Sequence, residues 1–217
     1  MGIRINVGCG LTPTPGWTNY DNSLSVRIAQ SSILSNLLIK SRLLREGQCR
    51  AIESIRNSVT KIVSADASRR IPADSGTVEV VYSSHMLEHL DRAQARRFLS
   101  EAARVLKPGG IIRLAVPDLR KLVDKYLVSG DANAFVSSLY MSIPRPKMFT
   151  ERVHLAFVGF RHHQWMYDAG SLSALLMESG FGDVASVLPG ETRIASPGEL
   201  DLNERANESL YVEAFRR

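Results

Sequence analysis

A chain of 217 residues, 44% hydrophobic and 23% charged, carries enough apolar surface for one large domain, and this balance excludes wholesale disorder and a bundle of membrane spans. Cys9 and Cys49 are too few for a disulfide framework, and no charged leader with an apolar core opens the chain, so a cytoplasmic setting is expected. The formal net charge of +5 fits an anionic small molecule, nucleic acid or an anionic membrane surface and selects none of them.

Ile3 to Val7 is a short apolar run that breaks into Gly8-Cys9-Gly10, the pattern of a strand delivering the chain to a ligand. Glycine there lets the backbone turn sharply and lets a ligand approach with no Cβ in the way. Only six residues, Leu11 to Gly16, separate Gly10 from Trp17. That leaves no room for a helix, so Pro13, Pro15 and Gly16 must shape the turn into a second strand, "GWTNY". Asp21 ends that strand, where a carboxylate commonly grips a ribose diol.

Ser25 to about Leu44 reads as one helix with Ile33, Leu34, Leu37, Leu38 and Leu44 on one side. Seven Lys/Arg between Val26 and Lys61 face only Glu46 and Glu53. A packing or lid helix with a solvated basic face is expected, and a membrane-surface helix is the sharper alternative. Further strands fall at Ile62 to Ala65, Val78 to Tyr82 and Ile111 to Val116. Asp66 follows the first of these, placed to accept from an exocyclic amine, and Ser83, Ser84 and His85 stand at the carboxyl end of the second.

The clearest helix follows Asp91, a plausible N-cap with Gln94 three residues on. Ala95, Phe98, Leu99, Ala102, Val105 and Leu106 form its apolar stripe, and Pro108, Gly109 and Gly110 stop it. Asp118 to about Leu139 is again helical. It runs into "MSIPRPKMFTERVHLAFVGFRHHQWMYDAG", a long irregular stretch of the kind that is usually functional. Ser171 to Ser179 is a short helix, and "FGDVASVLPG" and "ESLYVEAFRR" are strands expected to pair antiparallel at the sheet edge. No repeat or linker divides the chain. It reads as a single domain, 1–217, with a helical insertion at about 24–60 and an acceptor-binding or lid segment at about 118–168.

Five features in this order resemble the class I S-adenosylmethionine-dependent methyltransferases: Gly8-Cys9-Gly10, Asp21, Asp66-Ala67, "SSHMLEH" from Ser83 to His89, and "LKPGG" from Leu106 to Gly110. The likeness is greatest to a small group found beside surface-polysaccharide or secondary-metabolite genes. It covers Ile3 to Pro117 and, more loosely, the final third through "LLMESGF" and "ESLYVEAF". The resemblance implies an α/β fold, a Rossmann-like three-layer sandwich on a mostly parallel seven-stranded sheet with an antiparallel edge strand. It implies S-adenosyl-L-methionine as cofactor, held by Gly8, Cys9, Gly10, Asp21, Asp66, Ala67, Ser83, Ser84 and His85. The implied reaction is methyl transfer to a small-molecule or glycan-precursor acceptor at oxygen. The short link after Gly10 departs from the family, which has a longer glycine loop and a full helix at that point.

Methyl transfer from a sulfonium is an in-line displacement, so a protein contributes mainly by positioning and by excluding water. A hydroxyl acceptor is helped by a base, and histidine suits neutral pH. The catalytic candidates are His85, His162 and His163; Glu88 and His89 read as ties between loop and sheet. His162, His163, Trp165 and Tyr167 are the candidate acceptor wall, with Trp165 and Tyr167 as core aromatics the plainer alternative. No third ligand stands at a helical or strand spacing from the paired histidines, so no metal is expected. Arg145, Lys147, Arg152 and Arg161 against Glu151 favour an anionic acceptor. An RNA methyltransferase, or a non-catalytic relative docked on a membrane, is the alternative. The chain has no appended nucleic-acid module and no aromatic-basic stripe that would stack bases.

Overall fold

The computed structural model describes residues 2–41, 44, 46–141 and 162–217. Arg145, Lys147, Glu151, Arg152 and Arg161 lie outside the described residues. Seven strands form one sheet: β1 Ile3–Val7, β2 Thr18–Asp21, β3 Ile62–Ser64, β4 Val78–Ser84, β5 Leu106–Pro117, β6 Phe181–Val187 and β7 Ser209–Arg216. Their spatial order is β3-β2-β1-β4-β5-β7-β6. The first five pair parallel, and β7 runs antiparallel between β5 and β6. Strand order reverses between β1 and β4, and in open α/β sheets the crevice beyond the carboxyl ends at such a reversal takes the ligand.

Helices α1 Leu24–Ala29, α2 Ser32–Lys40 and α3 Glu46–Asn57 lie between β2 and β3. Next come α4 Arg92–Val105, α5 Leu119–Ser129, α6 Ala132–Ser138 and α7 Ala169–Glu178. The period-2 alternation of the strands sorts their side chains between two faces. On one face Ile5, Val7, Val81, Ile112, Leu114 and Val212 meet Phe98, Leu99 and Ala102 of α4 and Leu172, Leu175 and Leu176 of α7 in the main core. The capping box forms as the sequence implies. Gln94 N donates to Asp91 Oδ1 at 2.7 Å, and Asp91 N donates to Gln94 Oε1 at 3.0 Å.

The other face is covered differently. Val80, Tyr82 and Ile111 pack against Trp17 and against Ile194 and Leu200 of the segment between β6 and β7. Arg113 and Glu213, fully buried on this face, pair at 2.7 Å. Glu213 also accepts from Thr192 Oγ1 at 2.6 Å and from Arg193 N at 2.8 Å, and Arg113 donates to Glu191 O at 2.8 Å. The segment is thus pinned where a helix after β1 would otherwise lie.

The helix-free β1–β2 link is held by buried amides. Asn19 Oδ1 accepts from Thr14 N at 2.8 Å, and Asn19 Nδ2 donates to Thr14 O at 3.0 Å and Trp17 O at 2.9 Å. Asn6 Nδ2 donates to Thr14 Oγ1 at 3.1 Å. Side-chain amides here do the work that a helix's own backbone bonds would do.

Three expectations need correction. Leu106 to Gly110, read as the last stripe residue and the stop of the helix after Asp91, are instead the first residues of β5, and α4 ends at Val105. The single helix from Ser25 to Leu44 is broken at Gln30-Ser31, where Ser31 accepts from Leu34 N and caps α2. Most of its apolar stripe faces solvent: Ile33, Leu34 and Leu37 are exposed, Leu38 and Leu44 are partly buried, and Ser35 is the buried residue of α2. The stretch from Asp118 to Leu139 is likewise two helices. Gly130 caps α5 at φ +66°, and Asp131 starts α6.

Candidate cofactor and acceptor site

A cavity of about 1020 Å³ opens beyond the carboxyl ends of the strands on both sides of the reversal. Its walls are the loop after β1 (Gly8, Gly10, Leu11), the β2–α1 junction (Asp21 to Ser23, Ser25), Gly47, Gln48 and Ala51 of α3, Ala65 to Ser68, and His85, Met86, His89 and Leu90 after β4.

The glycines are required by geometry. Gly8 sits at φ +73° with its N–H donating to Tyr20 O at 2.8 Å, and a Cβ there would come within 2.7 Å of Met86 Cγ. Gly10, at φ +56°, donates its N–H to Asp21 Oδ2 at 2.9 Å, while Ser23 N donates to Asp21 Oδ1 at 2.7 Å. A carboxylate offers about four lone-pair sites, so Asp21 anchors the loop and still has room for two hydroxyl donors. Asp66 Oδ1 accepts from Ser68 N at 3.1 Å and Ser68 Oγ at 2.6 Å; its Oδ2 lies 3.3 Å from Arg69 Nε. Its neighbour Ala67 is buried and also lines the cavity.

Cys9 lines a second, smaller cavity of about 180 Å³ together with Ser84, Tyr82 and Glu204. Burial, with the charge of Asp21 adding to it, pushes its thiol up to about 12, so Cys9 is a small apolar contact rather than a nucleophile. Ser83 is buried within the sheet and lines neither cavity.

At the end of β4 His85 adopts φ +48°, a conformation that costs a bulky residue energy and that surrounding contacts must enforce. Those contacts are present. His85 N donates to Ala115 O at 2.9 Å, Nδ1 lies 3.3 Å from Glu88 Oε1, and Nε2 lies 2.9 Å from Ser209 Oγ. His85 is the residue at this strand end that borders both cavities, together with Gly8 and Gly10.

A 3-10 turn, Leu87–His89, follows. His163 approaches it from the far side of the chain, with Nε2 4.0 Å from Glu88 Oε1 and its ring in edge contact with His89 at 5.1 Å between centroids. His162 joins through its backbone, with its carbonyl 3.2 Å from His89 Nδ1. Trp165 is partly exposed under the Arg92 guanidinium, 4.9 Å from the ring centroid. Tyr167 is fully buried among the residues of the main core. The fold therefore brings His85, Glu88, His89 and His163 together and places Tyr167 in a packing position. Glu88 and His89, expected as ties between loop and sheet, accept bonds from Gln164 and Trp165 through their carbonyls and also stand in this cluster. The spacing of His85 and Glu88, three residues apart just after a strand, was the available signal for a carboxylate-held imidazole.

The chain resembles known methyltransferases. The family model described as "Methyltransferase domain" matches residues 36–114. The chain is 28% identical over 198 residues to the ubiquinone/menaquinone biosynthesis C-methyltransferase UbiE of Brucella suis biovar 1, covering 76% of this chain and 70% of that one. The protein of the same name from Brucella abortus strain S19 is 27% identical over 192 residues, covering 74% and 68%. Among solved structures, a possible histamine N-methyltransferase from Thermotoga maritima superposes with a TM-score of 0.51 at 14% identity, covering 100% of this chain and 83% of that one. A protein from Pyrococcus horikoshii OT3 gives 0.51 at 15%, covering 100% and 82%. These two likenesses speak to the fold alone. Strand order, glycine loop and acidic strand ends leave a crevice that fits a sulfonium nucleoside, and the sequence matches support a class I S-adenosylmethionine-dependent methyltransferase.

Proposed function

We propose that the chain transfers the methyl group to an oxygen of a small-molecule or glycan-precursor acceptor, with His85 as the base. The observation that carries this reading is the His85 imidazole, with Nδ1 3.3 Å from the buried Glu88 carboxylate, in the cavity wall beside Gly8 and Gly10. When bound, the cofactor supplies an electrophilic methyl group on a sulfonium centre. Asp21 and the glycine loop fix its ribose and methionine ends, and Asp66 and Ala67 flank the adenine. A hydroxyl oxygen must shed its proton as it attacks. Glu88 at Nδ1 orients the ring so that Nε2 is the nitrogen that takes the proton, the division of labour seen in carboxylate–histidine pairs generally. Ser209 now occupies Nε2, but its hydroxyl also reaches Glu204 O at 3.2 Å and can transfer its hydrogen bond there. His162, His163 and Trp165 are the proposed acceptor wall. A second reading, methylation of ring carbon on a lipid-linked acceptor, is supported by the names of the Brucella relatives and by the exposed Ile33, Leu34 and Leu37 of α2.

The test is product analysis. Wild-type and His85→Ala protein are incubated with cofactor and a panel of hydroxylated sugars, sugar nucleotides and phenolic rings, and demethylated cofactor and methylated product are followed by mass spectrometry and NMR. An O-methyl product whose kcat falls about 10²- to 10⁴-fold in His85→Ala, with cofactor affinity kept, is expected. A C-methyl or N-methyl product overturns the oxygen assignment, and an unchanged kcat removes His85 from the chemistry.

A further inference from the structure

Glu88 presents an electrostatic problem that methyl transfer does not solve. Its side chain is 1% exposed; Oε1 has imidazole nitrogens of His85 at 3.3 Å and of His163 at 4.0 Å as charge partners, but neither carboxylate oxygen receives a hydrogen bond among the described residues. A buried carboxylate without donors costs several kcal/mol, and such groups are held by a charge partner or a metal ion. Around it stand two imidazoles from separate parts of the chain. The ligating atoms of Glu88, His89 and His163 all lie within 4.8 Å of one another. His89 Nδ1 faces the His162 carbonyl at 3.2 Å and donates its N–H there, which leaves the lone pair of Nε2 unassigned. A backbone carbonyl on the far nitrogen is the usual support of a metal-ligating histidine.

We propose that Glu88, His89 and His163 bind one divalent first-row transition-metal ion, for which Zn²⁺ is the representative. Two imidazoles and one carboxylate suit Zn²⁺ and its borderline neighbours, whereas Mg²⁺ and Ca²⁺ demand oxygen ligands. In a tetrahedral site with bonds of about 2.0 to 2.2 Å, ligand atoms lie about 3.4 Å apart. The present spread therefore closes with modest side-chain rotation. His85, 3.3 Å from Glu88 Oε1, becomes the outer partner of the bound carboxylate and keeps its own role. Three protein ligands leave a position open, and His89, which lines the large cavity, sets that position beside it.

The ion would join two segments already docked by backbone bonds. Gln164 N and Trp165 N donate to Glu88 O at 2.7 and 3.2 Å, and Gln164 Nε2 donates to His89 O at 2.9 Å. The acceptor wall would thereby be fastened to the cofactor wall by a contact that exists only in the folded chain, so the ion adds stability by mass action. Local spacing argued against a metal because no third ligand flanks the histidine pair in sequence. The third and second ligands come instead from the turn after β4.

The test uses the full chain, stripped with chelator and titrated with Zn²⁺ by calorimetry, with metal content read by mass spectrometry after desalting. One ion per chain is expected, undisturbed by tenfold excess Mg²⁺, with Co²⁺ giving d–d bands and no thiolate charge-transfer band. His163→Ala and His89→Ala should each weaken Zn²⁺ binding by about 100-fold and abolish the Zn²⁺-dependent rise in Tm. Circular dichroism and urea unfolding of the metal-free proteins verify that these variants are folded, and because Glu88→Gln can fail to fold, the histidine variants decide. Absence of stoichiometric uptake, unchanged uptake in folded His163→Ala, or a thiolate band overturns the site. None of these readouts depends on the acceptor.

Discussion

Asp21 accepts the Gly10 N–H with one oxygen and the Ser23 N–H with the other, so losing its carboxylate releases the glycine loop as well as the proposed ribose contact. Asp21→Ala should therefore weaken cofactor binding by about 1 to 3 kcal/mol, roughly 5- to 150-fold. Asp21→Asn, whose carbonyl can still accept from one backbone N–H, should fall between it and wild type. Calorimetry with the demethylated cofactor decides, and equal affinity in all three proteins would remove Asp21 from the site. Gly8, Gly10 and Asp21 were legible in the sequence because their roles are local: a glycine turn after a strand, an acid at the next strand's end. Asn19, Arg113 and Glu213 were not, because their partners are set by tertiary contacts. Asn19 reads as an ordinary strand residue until Thr14 and Trp17 are folded back onto it.

At the level of elements, the start and face of α4 were readable because its cap and stripe are local, whereas its end was not: it stops at Val105, and Leu106 to Gly110 already run in β5. The stripe of α2 was equally visible yet faces solvent, since a pattern names an apolar face without naming what covers it. The β3–β4 connection shows the converse. Among the described residues it has no helix, and α4 holds it from outside. Arg104 donates to Ile71 O at 2.9 Å and Ala73 O at 3.0 Å, and Glu101 accepts from Ile71 N at 3.0 Å and from Arg104 Nε at 2.8 Å. The hydrogen bonds from Arg104 hold the Glu101 carboxyl below its ordinary range. The folded state thus binds this proton less readily than the unfolded chain, so the stabilisation is complete above the ordinary carboxylate value and is lost as pH falls through the lowered one. Glu101→Gln should cost about 1 to 2 kcal/mol at pH 7. In acid, below the lowered value, the variant and wild type should converge in Tm. A gap that stays constant with pH would remove the ion pair as the cause. Because this connection carries Asp66 and Ala67 to the cavity, Arg104→Ala should also weaken cofactor binding without touching the ligand.

Over the whole molecule, parallel strands alternating with helices announced the doubly covered sheet, and the switch in strand order places the cavity. What could not be read was how the sheet is covered where the helix after β1 is missing. The answer lies some 180 residues further along the chain, in the segment between β6 and β7, and it rests on a fully buried charge pair. A buried pair is weak evidence of stability in itself, but breaking one side leaves an uncompensated charge and costs about 3 to 5 kcal/mol. In Glu213→Ala the Arg113 guanidinium keeps, among the described residues, the carbonyl acceptors Glu191 O and Leu202 O and no carboxylate, while Thr192 Oγ1 and Arg193 N lose their acceptor. We expect a drop in Tm of about 10 °C for a chain of this size, with the urea midpoint lowered to match. Replacing both partners, Arg113→Met with Glu213→Leu, should recover most of that loss, because no charge is then stranded. The same segment supplies Glu204, which accepts from Tyr82 Oη at 3.0 Å and borders the small cavity under the glycine loop. If the segment acts as the missing layer, Glu213→Ala should loosen that floor and weaken cofactor binding, and the double variant should restore both together. Stability restored without affinity would show that the segment covers the sheet but does not shape the site.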